Sequence, residues 1–378
     1  MRVLHMIGSL GIGGSQAFIM NIYRKIDKTK IQFDFIIDHP EHNHYIKEIE
    51  DLGGKVFYLN TFKGNNYFSL RKEWDKFFTL HTEYKILHCH LRSYASIFIP
   101  IAKKHGLKVI IHSHSDSNGK GIKAFIKNVL QVPLRYQCDY YMACSQNAGK
   151  WLFGKKICAS DKFSVINNAI DLQQYLYKKE NRDKIRKKYN LDNKFVLGFI
   201  ARVTEPKNPL FVIEVMKELL AYNEDSMLLF VGDGELLEKT KNKAKTLGIL
   251  DSVVFTGAQT NVGELLAAMD YYILPSLWEG FGMSLIEAQA SGIKCICSSA
   301  INSEAIIIKE NIKQLDINLG AKIWAKEIKN TILSKRENYK VIYDRIKQKG
   351  YDISNNSLFL VNFYYNIIEK EMSKNEQE

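Results

Sequence analysis

Nowhere in the 378 residues is there an apolar run approaching the roughly 18 residues that a membrane-spanning helix needs. The N-terminal MRVLHMIGSLGIGG lacks the extended apolar core and cleavage pattern of a signal peptide, so the expected location is the cytoplasm. Proline-, glycine- or serine-rich tracts and charge blocks are also missing, which excludes a long disordered segment. The six cysteines, at 89, 138, 144, 158, 295 and 297, have no zinc spacing; Cys295 and Cys297 sit in the apolar KCICSS, and all read as free thiols in a reducing compartment. The dinucleotide fingerprint G-x-G-x-x-G is absent, as are an Asp-x-Asp pair beside a nucleotide site and any repeat with a solenoid period.

Against these absences stands a composition that is 46% hydrophobic, in a chain longer than the roughly 250–300 residues at which one core stops growing. Two domains are expected. The net charge of +12 is uneven: residues 1–165 hold 24 Lys/Arg against 13 Asp/Glu. No basic-and-aromatic nucleic-acid module accompanies that excess, so no nucleic-acid partner is expected. The segment 119–135, GKGIKAFIKNVLQVPLR, sets Lys120, Lys123 and Lys127 around Ile122, Phe125, Ile126, Val129 and Leu130. It reads either as a basic amphipathic face for an anionic membrane surface or as a surface helix with a core-facing stripe.

Short apolar runs alternate with helical patterns. VLHMIGSL, FDFIID, VFYL, KILHCH, KVIIHSH and DYYMACSQ read as strands, and SQAFIMNIYRKI, HYIKEIEDLG and SYASIFIPIAKKHG as helices. KFSVINNAID (162–171) reads as a turn or linker entry. The rhythm then restarts with strands at 194–202, 226–234, 252–257, 271–276 and 294–299, and helices beginning near Pro209, Leu236, Val262 and Met283. The expected class is α/β: two Rossmann-like domains facing across a ligand cleft. Residues 1–168 form the N-terminal domain, 169–354 the C-terminal domain, 355–372 a docked helix and 373–378 a frayed tail.

Four stretches carry candidate chemistry. GSLGIGGSQ (8–16) places Gly13 and Gly14 after a strand, with Ser15 as a helix cap, either to approach a phosphate or simply to turn tightly. ARVTEPKNP (201–209) brings Arg202 and Lys207 before a helix, as a diphosphate clamp or a surface charge pair. In LWEGFGMSLIEAQASG (277–292), Glu279 and Glu287 flank Gly280, Phe281 and Gly282. Carboxylates repel phosphate, so these acids suit hydroxyls, Glu287 a ribose diol and Glu279 a sugar ring, while the helix-start amides suit the phosphate. In HSHS (112–115), His112 and His114 share a strand face; no third ligand has a metal spacing, which leaves a sugar-orienting or a structural histidine.

With these residues in view, the chain resembles the retaining glycosyltransferases of family 4, which have the GT-B fold, and among them the exopolysaccharide and capsule enzymes. The resemblance runs from GIGGSQAFIMNIYRKI through IIHSHS, NAID, ARVTEPKNP and FVGDG to GAQTNVGELLAAMDYYILPSLWEGFGMSLIEAQASG, and the last block holds the family's E-x7-E pair. It implies that Gly13, Gly14, Gly280, Phe281 and Gly282 approach the donor phosphates and that His114, with His112 beside it, lies near the donor sugar. Arg202 and Lys207 would bind phosphate, Glu279 would sit near the transferred sugar, and Glu287 would bind the ribose. It further implies a helix near 355–372 crossing back to the N-terminal domain. Ala201 stands where many relatives have glycine, and no acceptor-side acid can be placed.

The activity so implied is a retaining, metal-independent transfer of a hexose or N-acetylhexosamine from a nucleotide-diphosphate sugar, UDP before GDP, with no cofactor. The acceptor would be a lipid-diphosphate-linked glycan, which would place the enzyme at the inner face of the membrane. The competing classes are a nucleotide-sugar epimerase or dehydrogenase, against which the wrong glycine spacing argues and for whose later Tyr-x-x-x-Lys pair YYNIIEK near residue 364 is a poor substitute, and a non-catalytic carbohydrate- or nucleic-acid-binding protein, against which the intact glycines, cations and acids argue.

Overall fold

The computed structural model describes all residues except 12–13, 41–43, 116–120, 280–281, 331–335, 337–338 and 376–378, together with the side chains of 123, 124, 339, 374 and 375. The chain forms two compact units, Met1–Ile170 with Gly350–Glu378, and Asp171–Lys349.

The first unit is built on a parallel sheet of β1 (Arg2–Met6), β2 (Gln32–Ile37), β3 (Val56–Tyr58), β4 (Ile86–Cys89), β5 (Lys108–Ser113), β6 (Tyr140–Ala143) and β7 (Phe163–Val165), in the order β3-β2-β1-β4-β5-β6-β7. Its central strands are buried on both faces, as a sheet covered twice by helices requires. One face buries the helices Tyr67–Leu80 and Ala95–Lys104, where Trp74 stacks on Phe98 with ring centroids 4.0 Å apart. The other buries Gly14–Lys25 and the long Ile353–Asn375 helix through Phe18, Tyr23, Leu360 and Tyr364.

The second unit repeats the plan with β8 (Phe195–Ile200), β9 (Ser226–Val231), β10 (Val253–Gly257), β11 (Tyr271–Leu274), β12 (Lys294–Ser298) and β13 (Ile312–Leu315), all parallel, in the order β10-β9-β8-β11-β12-β13. Each sheet therefore reverses its winding once, between β1 and β4 and between β8 and β11. In open α/β sheets the loops leaving the strand C-termini at such a reversal hold ligands.

Three local readings differ from the sequence expectations. Phe163–Val165 pairs with β6 as an edge strand rather than serving as a linker. Ser15 lies inside the helix Gly14–Lys25, its hydroxyl on Gln16 Oε1, and is not the cap. The helix Tyr67–Leu80 fills a gap in the reading, although Leu70, Trp74, Phe77 and Phe78 mark its buried face.

Candidate functional site

In the second unit, Arg202 and Lys207 follow β8, and Glu279, Gly282 and Glu287 follow β11, so all five leave adjacent strands at the winding reversal. The loop after β8 is clamped by the one after β9: Val203 N–H donates to Asp233 O at 2.8 Å, and Leu236 N–H to Val203 O at 2.9 Å. Gly232, at φ 143°, permits this approach, because a Cβ there would fall 1.9 Å from Ala201 O. The Arg202 side chain on this loop is exposed and has no ion pair or hydrogen bond among the described residues. Left-handed Asn208 then starts the helix Pro209–Leu220.

Leu277 N–H donates to Pro206 O at 2.8 Å, which stitches the β8 and β11 loops together. Lys207 Nζ is ion-paired with Glu279 Oε2, the two side chains 17% and 10% exposed. Ser276 donates a further hydrogen bond to the same oxygen at 3.1 Å. Glu279, expected on hydroxyls, is thus paired with Lys207, expected on phosphate. Gly282, at φ 81°, starts the helix Met283–Ala290 in the left-handed region that glycine enters without strain. Glu287, half-buried one turn along, accepts from Tyr175 O–H at 3.1 Å. Burial raises its pKa to about 7 and the tyrosine hydrogen bond moderates the rise.

In the first unit His114 belongs to a histidine array absent from the sequence reading. His5 in β1, His88 in β4, His90 just beyond it, His112 in β5 and His114 just beyond it share one sheet face. His5 Nδ1 and His90 Nε2 are 3.1 Å apart, His90 Nδ1 and His114 Nε2 2.8 Å, His88 Nε2 and His112 Nδ1 3.2 Å, and His88 Nδ1 bonds Tyr364 Oη at 2.6 Å. A neutral imidazole offers one N–H, so three rings in a row share three protons over two contacts, and the tautomer of His90 sets that of His114. His5 Nε2, His112 Nε2 and His114 Nδ1 have no hydrogen-bond partner among the described residues. Burial, reinforced by neighbouring imidazoles, drives His5, His88, His112 and His114 well below the usual histidine value, and burial takes His90 to about 3. The third histidine that sequence spacing did not supply is therefore spatial. Ring nitrogens of His90, His112 and His114, and of His5, His88 and His90, gather within 4.8 Å, the two groupings among the described residues that could hold a metal ion.

Gly14 is the first residue of its helix, while Gly13, Gly280 and Phe281 lie outside the described residues. Sequence reasoning missed His90 and Tyr175. ILHCH, with histidines two apart on a strand, was the one available signal for the first; nothing local marks the second.

The chain matches the family models for group 1 glycosyl transferases over residues 181–349 and for glycosyltransferase family 4 over residues 12–174. It is 28% identical, over 99% of its length and 98% of the relative's, to a Bacillus subtilis protein named as glycosyltransferase EpsF. It is also 28% identical, over 63% of each chain, to the UDP-Gal:alpha-D-GlcNAc-diphosphoundecaprenol alpha-1,3-galactosyltransferase of Escherichia coli. In structure it resembles a Rickettsia africae glycosyltransferase, with a TM-score of 0.79 at 17% identity, covering 97% of this chain and 98% of that one. Anabaena HepE in complex with UDP gives a TM-score of 0.75 at 17% identity, covering 99% of this chain and 100% of the other. The two family models tile both units, and the chain belongs to the family 4, group 1 glycosyltransferases with the GT-B fold.

Proposed function

We propose that the protein is a retaining, metal-independent glycosyltransferase that moves a hexose or N-acetylhexosamine from a UDP-sugar to a lipid-diphosphate-linked glycan during extracellular or capsular polysaccharide synthesis. The observation that supports the reading is the Lys207–Glu279 ion pair where the segments leaving β8 and β11 meet, with Arg202 on the first segment and Glu287 in the helix that follows the second. Breakage of the sugar C1–O bond leaves growing negative charge on the β-phosphate. Arg202, Lys207 and the amides of the Met283–Ala290 helix would take it up, and prearranged charge of this kind is worth a few kcal/mol per group. Glu287 would accept from the ribose hydroxyls. The acceptor hydroxyl would enter on the face the phosphate leaves, passing its proton to the departing phosphate oxygen. Gly13, Gly14, Gly280, Phe281 and Gly282 are read as the close-approach turns, and His114 as a contact to the donor sugar.

UDP in a structural neighbour and a diphosphoundecaprenol acceptor in a relative's name support the donor and acceptor classes. Among the described residues no helix is long and apolar enough to cross a membrane, so a lipid-borne acceptor calls for surface contact. The helix Ile122–Gln131 suits that contact: Ile122 is 80% and Phe125 68% exposed, with Ile126, Val129 and Val132 also exposed. The apolar stripe that would face the core in an ordinary surface helix faces solvent here, beside the exposed Lys127.

Thermal-shift screening of nucleotides and UDP-sugars tests the donor, because a ligand bound only by the folded state raises the melting temperature. Transfer is expected to persist in chelator, and activity lost there and restored by Mg²⁺ would refute metal independence. Arg202→Ala is expected to lower kcat by about 10²–10³-fold with little change in melting temperature. Unchanged kcat would remove Arg202 from the mechanism.

A further inference from the structure

Glu287, the proposed acceptor for the ribose hydroxyls, is held by a residue that lies outside the loops of the site. Tyr175 ends the short helix Leu172–Tyr175 and donates its hydroxyl to Glu287 Oε1 at 3.1 Å. Glu287 Oε2 makes no hydrogen bond among the described residues, so one oxygen is committed and the other is left for a ligand. Burial favours the protonated acid, which is a weaker acceptor and presents an O–H of its own; a hydrogen bond donated to the ionised form works against that.

Tyr272 of β11 also faces Glu287, but its hydroxyl donates to Ile200 O at 3.1 Å and burial holds it neutral. Glu279 and Cys295 face Tyr272 in turn; Glu279 is paired with Lys207, and burial pushes Cys295 well above the usual thiol value. Residues 303–305 and the helix Tyr339–Gln348 pack on the Glu287 helix as well, and none of their described charges acts on Glu287. Among the described side chains, Tyr175 is therefore the one that stabilises the ionised form.

The backbone that carries Tyr175 is fixed by a glycine. Gly263 is the second residue of the helix Val262–Ala268 and has an ordinary helical backbone, a place where glycine is less favourable than alanine. A Cβ there would fall 1.9 Å from Gln174 O and 3.5 Å from Tyr175 Cα, so the missing side chain lets Gln174 and Tyr175 lie directly on this helix. At the other end of the short helix Leu172 is 1% exposed. The close approach at Gly263 thus sets where the Tyr175 hydroxyl falls relative to Glu287.

We infer that Tyr175 is a positioning residue for the donor nucleotide: its bond to Oε1 fixes the Glu287 carboxylate as an acceptor with Oε2 left to the ribose diol, and Gly263 holds Tyr175 in place. The inference rests on the proposal that Glu287 accepts from the ribose.

Two readouts on the full chain test it. Carbon-13 NMR of labelled glutamate follows the Glu287 carboxyl without ligand, and calorimetry follows binding of UDP and of 2′,3′-dideoxy-UDP from pH 6 to 9. Tyr175→Phe, which removes only the hydroxyl, is expected to move the carboxyl midpoint up by about one pH unit and to weaken UDP about fivefold at pH 7, the loss shrinking below about twofold at pH 9. Gly263→Ala is expected to move both in the same direction by displacing residues 174–175. The dideoxy analogue, with no ribose hydroxyl to donate, is expected to bind wild type and variants within about twofold of one another, and Tyr175→Phe in a Glu287→Gln background is expected to cost UDP less than about twofold at every pH. The inference is overturned if Tyr175→Phe leaves the midpoint where it was, if its loss of UDP affinity is the same from pH 6 to 9, as a merely structural role would give, or if Gly263→Ala keeps the wild-type midpoint. Midpoints that move in both variants while wild-type UDP binding ignores pH would instead refute Glu287 as the ribose acceptor and leave the hold of Tyr175 on it standing.

Discussion

With Glu287 as the proposed ribose acceptor, donor binding is expected to depend on pH. Its folded pKa of about 7 means the carboxyl is partly protonated at neutrality, whereas the unfolded value is near 4.5. Ribose hydroxyls donate to the ionised form, so UDP should bind that form more tightly and displace a proton on binding. UDP affinity is therefore expected to rise as pH increases through 7 and to level off above 8. The Glu287→Gln variant should lose this component and bind more weakly, because one strong acceptor is gone. Calorimetry in buffers of different ionisation enthalpy reads the released proton directly. A wild type and variant with the same pH dependence would contradict the role. The pair Glu279 and Glu287 was legible in sequence because eight residues and two glycines fix their relation locally. Tyr175, 112 positions from Glu287, and His90, 85 from its partner His5, were not, because tertiary folding alone makes them neighbours.

Among the elements, the strands were the most readable: buried parallel strands are short apolar runs, and β8, β9, β11 and β12 begin within one residue of their sequence boundaries. β13 was missed because Ile312–Leu315 is an edge strand whose two central residues are exposed, leaving no apolar signature. The helix Ile122–Gln131 was read with its alternatives open, since periodicity gives an apolar face but not what covers it. Its exposed stripe leads to a direct expectation. Phe125→Asp should leave the unfolding free energy within the range of ordinary surface changes, about ±0.5 kcal/mol, yet lower partitioning onto anionic vesicles about tenfold or more. Added salt should weaken wild-type partitioning through the lysines, each worth about 1 kcal/mol. Equal vesicle binding by variant and wild type in co-sedimentation would rule the helix out as the contact.

For the molecule as a whole, the five buried histidines set acid stability. In the folded protein they resist protonation, His90 down to about 3, while in the unfolded chain they take up protons near 6.5. Below about 6.5 the unfolded state therefore binds more protons, so the stability these neutral rings contribute, complete above that value, is lost as pH falls. Each such group steepens the loss by at most about 1.4 kcal/mol per pH unit, and Glu287, whose folded pKa is raised, opposes one of them. Urea midpoints are expected to be flat from pH 8 to 7 and to collapse between 6.5 and 5; a midpoint unchanged at pH 5 would contradict the array. Tyr364, bonded to His88, ties the last long helix into the same core.

The chain's path adds a constraint of its own. Ile170 N–H donates to Tyr351 O at 3.1 Å and Ile353 N–H to Ile170 O at 3.0 Å, so the polypeptide leaves the first unit and re-enters it at neighbouring points. Residues 171–349 form in effect an insertion, and expressed alone they are expected to give a cooperative thermal transition. Residues 1–170 alone lack Leu360 and Tyr364 and should precipitate or expose dye-binding apolar surface. On the ribosome, then, the segment made first must wait through the synthesis of about 180 further residues before its closing helix emerges, so a nascent-chain holdase would find its client in the amino-terminal half.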